Sequence, residues 1–282
     1  MSGPPSVRRW LADAAQRIDA ALGPARVTRI VLPPLVDRPG KEGEFCAVQL
    51  DDGSVGLAFT LLGSTLAELH ARGLAGRQDG GAALEWVHGY ANGSGATRAL
   101  GLATINALTR RLYDRAGFLA DDSTDSFGSL NLTPGDRLGM VGHFTPLIEQ
   151  ARTLGIPVTV LELKPELVRE EPGLVVTLDA KRLAGCNKIV STSTLLLNDT
   201  FETVAGFWRG AEAVAVVGPS AGCPPDPLFA AGVTSVGTAW VVDAEAFLAR
   251  CAAGEKWGET SRKVTLVPQG YPGLDALLAK AA

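Results

Sequence analysis

The sequence predicts an α/β protein in two parts, an α+β unit over residues 1–122 followed by a parallel-sheet α/β unit over 123–282. Three observations carry this. Early in the chain, strand patterns come first and helical patterns afterwards. A polar run, Ala120-Asp121-Asp122-Ser123-Thr124-Asp125-Ser126, then interrupts the apolar periodicity. Beyond it strand, turn and helix alternate, which is the rhythm of a parallel sheet covered by helices.

Residues 1–22 read as an amphipathic helix with Trp10, Ala14, Ile18 and Leu22 on one face. Arg8, Arg9, Asp13, Arg17 and Asp19 interrupt it too often for the apolar core of a signal peptide. Residues 26–36 are rich in branched side chains and turn to β. Residues 45–50 and 54–60 flank Asp51-Asp52-Gly53, a hairpin signal because Asp and Gly tolerate positive φ. Helical stretches over 64–72, 81–90 and 96–116 complete the first unit.

In the second unit, Pro134-Gly135-Asp136 introduces a strand over 137–141. Thr145 is placed to cap a helix that Pro146 opens, Leu147, Ile148, Ala151 and Leu154 form its buried stripe, and Gly155 ends it. Further strands fall at 158–161, 188–190, 213–217 and 239–242. One helix carries Phe201, Val204, Ala205 and Trp208, with Asp199 and Glu202 as its caps. Asp226-Pro227 starts the next, and Asp243 caps a third that runs through Phe247, Leu248 and Cys251. Residues 164–187 break the rhythm, with 174–178 an extra strand or a packed loop; 264–267 and 274–278 close a sheet edge.

Composition bounds the function. Hydrophobic residues at 46% exclude general disorder, and 26 basic against 30 acidic residues give a net charge of −4, without the basic surplus nucleic acid requires. No apolar run approaches the roughly 20 residues of a membrane helix. The four cysteines are far apart with no C-x-x-C pair, so a reducing cytoplasm is the expected location. There is no phosphate loop or H-E-x-x-H helix, and only Lys164 lies near a sheet end. P-loop chemistry, zincin proteolysis and pyridoxal chemistry all lack their parts.

In an open parallel sheet, ligands approach the carboxyl ends of the strands. The residues placed there are Gly142-His143-Phe144-Thr145, Glu162, Ser191 to Thr194 with Asn198, Gly218 to Cys223, and Gly237-Thr238. His143 is the histidine in a sheet-end turn, able to shuttle protons or bind metal, or else to serve as a bonded wall residue. Cys223 offers a soft metal ligand or a nucleophile, or packs as a small apolar residue. Glu162, 20 positions after Gly142, stands where an acidic ribose contact would stand, but the turn reads Gly139-x-x-Gly142 rather than G-x-G-x-x-G.

At residues 139–144, 158–165, 191–200 and Gly218-Pro219-Ser220-Ala221, running on into 228–232 and 237–243, the chain resembles a bacterial and archaeal family of unknown function labelled "putative heavy-metal chelation". Its first half, including Ala99-Leu100-Gly101-Leu102-Ala103-Thr104-Ile105-Asn106-Ala107, resembles the enolase N-terminal-like domain that precedes it there. The resemblance implies an enolase-N-terminal-like α+β domain joined to a Rossmann-like domain, with a ligand site in the cleft between them and a role in metal chelation or cobalamin-type metabolism. Carried over, the cleft takes Asn106, Gly142, His143, Glu162, Ser193, Asn198, Gly218, Pro219 and Ser220. Where relatives read Thr-Gly-Ser this chain reads Ser191-Thr192-Ser193, a substitution expected either to narrow the pocket or to change its anion preference. The enolase likeness concerns fold alone and brings no Mg²⁺ ligands or catalytic Lys.

The leading expectation is a binding protein for a small molecule or metal chelate, with His143 and Cys223 as the candidate ligands of a divalent transition metal. A second is an enzyme using NAD(P) or S-adenosylmethionine at the sheet end, and a third is a non-catalytic interaction protein. Neither nucleic acid nor membrane is expected as a partner, and a symmetric homo-oligomer is the base-rate expectation.

Overall fold

The computed structural model describes residues 5–36, 44–77, 81–122 and 130–282. It is an α/β fold with two sheets. Helix α1 (Val7–Leu22) is capped by the Ser6 hydroxyl, which accepts the Arg9 amide, and it buries Leu11, Ala14, Ala15 and Ile18. Strands β1 (Arg26–Val31), β2 (Phe45–Leu50) and β3 (Val55–Phe59) form an antiparallel sheet in the order β3-β2-β1-β4, with the two-residue β4 (Gly81–Ala82) at its edge. Gly53, at φ 89°, turns β2 into β3, and Asp52 Oδ1 accepts the Ser54 amide there.

Helices α2 (Thr65–Ala71), α3 (Ala83–Asn92) and α4 (Gly95–Arg115) follow. Every residue of α4 from Ala99 to Thr109 is buried, so this helix is the spine of the fold and not a surface helix. Gly56 of β3 permits that: a Cβ there would overlap the Ala103 carbonyl and the Ala107 amide, so only glycine lets strand and helix backbones meet.

The second sheet has nine strands in the order β5-β13-β12-β11-β10-β6-β7-β9-β8. These are β5 (Asp121–Asp122), β6 (Leu138–Val141), β7 (Val158–Leu161), β8 (Arg169–Glu171), β9 (Leu174–Thr177), β10 (Lys188–Thr192), β11 (Ala213–Val217), β12 (Ser235–Val241) and β13 (Ser261–Leu266). From β12 through β9 the neighbours run parallel, while β13, β5 and β8 pair antiparallel at the edges. Helices α5 (Thr145–Thr153), α6 (Phe201–Trp208), α7 (Asp226–Ala230), α8 (Ala244–Ala253) and α9 (Leu274–Ala281) are interspersed. The main core is continuous across both halves, joining Leu11, Ile30 and Leu102 to Val216, Leu228 and Leu274.

Several local expectations change. Residues 174–177 are a strand, and β8 extends the sheet beyond it. β12 starts at Ser235 because its parallel ladder with β11 begins there, so Gly237 and Thr238 lie within the strand. Asp243 caps α8 as expected, accepting the Ala246 amide. Thr145 lies inside α5, with Phe144 at the cap position. Asp199 and Glu202 do not cap α6: Asp199, at φ 62°, pairs with Arg8 and Arg98, and Glu202 accepts the Val7 amide at the start of α1. Of the polar run, Asp121 and Asp122 pair with β13, while 123–126, and with them the expected boundary after residue 122, lie outside the described residues.

Candidate functional site

From β6 the chain builds outward through β7 and β9, then returns to lay β10 against the other side of β6. The carboxyl ends of β6 and β10 therefore flank the switch point, where open α/β sheets bind ligands. The opposite ends are stapled. Asp136 Oδ2 accepts the Thr133 amide and hydroxyl, and its Oδ1 accepts Asn187 Nδ2, while Asn187 Oδ1 accepts the Arg137 amide. The Thr133 amide and the Asn187 carboxamide hold the Asp136 carboxyl below its ordinary range.

At the carboxyl ends, Glu162 Oε1 accepts the His143 amide at 3.0 Å and Oε2 accepts the Leu163 amide at 2.9 Å. Both oxygens are thus engaged with main chain, and a ribose would have to compete for them. The half-buried His143 ring has Nε2 3.2 Å from Arg169 Nη2 and Nδ1 3.4 Å from Thr145 Oγ1. A guanidinium only donates, so Nε2 is the acceptor and the neutral ring carries its proton on Nδ1. Gly142, at φ 91°, lies against the Thr192 side chain. Gly218, at φ 137°, lies against Ser193, whose Oγ would overlap any Cβ placed there. The Pro219 carbonyl is 3.5 Å from Thr238 Oγ1.

Asn106 and Ser220 lie deeper, where the two halves meet. Ser220, with no exposed surface, accepts the Phe59 amide on Oγ at 2.9 Å. Asn106 Nδ2 donates to the Leu57 carbonyl at 2.7 Å and to the Ser220 carbonyl at 3.0 Å, and its Oδ1 is buried without a partner among the described residues. Cys223 is buried beside this joint, and burial pushes its thiol up to about 12.

Asn198 lines a cavity of about 170 Å³ between the halves. Phe59 closes it from the end of β3, Leu62 and Thr65 from the approach to α2, Gly95 and Ala99 from the first turns of α4, and Leu197 from the segment after β10. Asn198 Oδ1 accepts the amide and hydroxyl of Thr200, which leaves Nδ2 as a donor without a partner among the described residues. The rim is fixed by Arg98, which donates to the carbonyls of Gly93 and Leu197 and pairs with Asp199. Burial, and then the charge of Arg8, pull its guanidinium down from its ordinary value.

The sequence-derived residues thus fall into three linked groups: Gly142, His143 and Glu162 at the β6 and β7 ends; Ser193, Gly218, Pro219, Ser220 and Asn106 along the joint; and Asn198 at the cavity. Sequence reasoning missed Arg169, whose strand lies in the stretch without rhythm, and the cavity walls, which are ordinary apolar residues in separate elements. Among the described residues no three His, Cys, Asp or Glu side chains are grouped so as to hold a metal ion, and no helix is long and apolar enough to cross a membrane.

Two family models match the chain. One, DUF364, described as "Putative heavy-metal chelation", covers residues 125–268, and another, DUF4213, with the same description, covers residues 43–109. Two similar solved structures are of DUF364 proteins of unknown function. The protein from Pyrococcus horikoshii is 16% identical with a TM-score of 0.67, over 91% of this chain and 99% of that one. The protein from Desulfitobacterium hafniense DCB-2 is 19% identical with a TM-score of 0.67, over 93% and 100%. At those identities the likeness is one of fold. No curated protein matches the chain.

Proposed function

This chain belongs to the DUF364 family, and from that membership we propose that it is a small-ligand-binding protein whose site is the cavity between its halves. The observation that carries the proposal is the cavity itself. About 170 Å³ of space is walled by Phe59, Leu62, Ala99 and Leu197 and given a polar side by Asn198 and Thr65. A largely apolar concavity with a few convergent polar groups is the usual form of a small-molecule site. The turns at Gly142, Ser193 and Gly218 follow β6, β10 and β11 at the carboxyl edge of the sheet, beside the switch point, which supports the reading. The Rossmann-like and enolase-like relationships of the two halves, their division at residue 122 and a cytoplasmic location are part of this proposal.

The test is thermal unfolding against a panel of small carboxylates, nucleotide cofactors and corrinoid or tetrapyrrole precursors. A ligand that binds only the folded form raises Tm with its concentration. The expected result is a shift in the wild type that Leu62→Trp abolishes by filling the cavity and Asn198→Ala weakens. A shift retained in full by both variants would place the ligand elsewhere and sink the proposal.

A further inference from the structure

We infer that this chain does not coordinate a bare heavy-metal ion, and that a metal reaches it already held by a compact organic chelator, whose organic periphery the junction cavity grips. This builds on the cavity as the ligand site. The family description leads one to expect metal-binding side chains, and the donor set present does not supply them.

Heavy divalent metals are held by thiolate and imidazole. The chain has 3 histidines and 4 cysteines, and all of them lie among the described residues. All four thiols are buried. Cys46 faces the main core with Val48 and Leu50; Cys251 packs with Phe247 and Leu248, donates to the Phe45 carbonyl at 3.5 Å and lies within electrostatic reach of Cys46, so this is a two-thiol neighbourhood with no third ligand grouped with it among the described residues. Cys186 precedes β10 and so lies at the amino edge of the sheet, away from His143. Burial pushes Cys46, Cys223 and Cys251 up to about 12 and also raises Cys186. His143 Nε2 is occupied by Arg169, His70 Nε2 bonds the Pro33 carbonyl at 2.8 Å, and His88 faces Asn92 on an exposed stretch of α3.

The cavity points the same way. None of the residues lining it is charged, and most are apolar. A naked divalent cation placed there would lose its water and gain almost nothing in return. A chelate inverts that balance, because its metal is satisfied by the chelator, its carbon surface meets Phe59, Leu62 and Leu197, and its oxygen acceptors meet the Asn198 Nδ2 donor. The ligand class is therefore a compact, uncharged metal complex of an oxygen-bearing organic chelator.

Equilibrium dialysis of the intact protein, with zinc and chelator each quantified, tests this using Zn²⁺ alone, dipicolinate alone and their neutral one-to-one complex. The expected outcome is retention of zinc and dipicolinate together at one equivalent, at least tenfold weaker in Leu62→Trp, with Zn²⁺ alone retained far below one equivalent. Stoichiometric retention of Zn²⁺ alone, lost on Cys223→Ser or His143→Ala, overturns the inference and leaves the cavity reading standing. Should Cys223→Ser fail to fold, the half-buried His143→Ala decides. Retention of dipicolinate without zinc also overturns it while keeping the cavity as a ligand site. Retention of nothing overturns both.

Discussion

Asn106 donates to the Ser220 carbonyl at 3.0 Å, while its second amide proton reaches the Leu57 carbonyl at 2.7 Å. One carboxamide on α4 thus ties β3 to the turn after β11, and Ser220 returns the tie by accepting the Phe59 amide. The two Asn106 bonds are buried and the Ser220–Phe59 bond partly so. Asn106→Ala leaves two buried carbonyls without their donor and is expected to cost about 2–6 kcal/mol, at about 1–3 kcal/mol per orphaned group. Ser220→Ala, which orphans one amide, is expected to cost about half that. Urea unfolding measures both, and unchanged midpoints would show that the joint is held by apolar packing alone.

Gly218 has a conformation and a neighbour that both exclude a side chain. Its φ of 137° is rarely adopted by L residues, and a Cβ would overlap Ser193 Oγ. Gly218→Ala is expected to destabilise by about 1–3 kcal/mol. Adding Ser193→Gly should recover the steric part and leave the backbone part. Strictly additive effects in a double-mutant cycle would mean the two residues do not touch.

Much of the fold was legible because its signals are local. The strand-turn-helix rhythm after residue 137, the Asp51-Asp52-Gly53 turn and the Asp243 cap each depend on a few neighbouring residues. β8 was not legible: Arg169-Glu170-Glu171 has no apolar alternation and is a strand only because it pairs with β9. Asp199 and Glu202 have cap chemistry but spend it on Arg8, Arg98 and the Val7 amide, partners nearly 200 residues distant for α1. The cavity has no sequence signature, since Phe59, Leu62, Ala99 and Leu197 become a pocket only when separate elements meet. Asn106 was reached through family resemblance, whereas Ser220 already stood at a strand's carboxyl end in the strand-turn-helix pattern.

Glu162 makes a local clasp at the end of β7, with one oxygen on the His143 amide and the other on the Leu163 amide. Glu162→Gln keeps the shape but offers a single acceptor oxygen, so one amide loses its partner. The expected cost is about 1 kcal/mol, together with a displaced His143 ring. Imidazole NMR reads the second effect: the Nδ1–H tautomer selected by Arg169 should lose population in Glu162→Gln and more so in Arg169→Ala. An unchanged tautomer ratio in both variants would show that neither residue sets the ring.

Cys46, Cys223 and Cys251 give the protein an alkaline limit. Burial raises each thiol from the ordinary 9.0 to about 12. Below pH 9 the folded and unfolded chains both keep these protons, so the stability gained from burial is fully present and flat with pH. Between pH 9 and 12 the unfolded thiols ionise while the folded ones do not, and stability falls by up to about 1.4 kcal/mol per pH unit for each thiol. The buried Tyr90, Tyr113 and Tyr271, all raised mainly by burial, add to the decline from about pH 10. Urea unfolding followed by Trp fluorescence from pH 7 to 11 should therefore show a level stretch and then a steep fall. Cys251→Ala should lower the overall stability at pH 7 through the space it empties, yet make the alkaline fall shallower by one thiol's share. A slope that Cys251→Ala leaves unchanged would mean that this thiol already ionises in the folded protein.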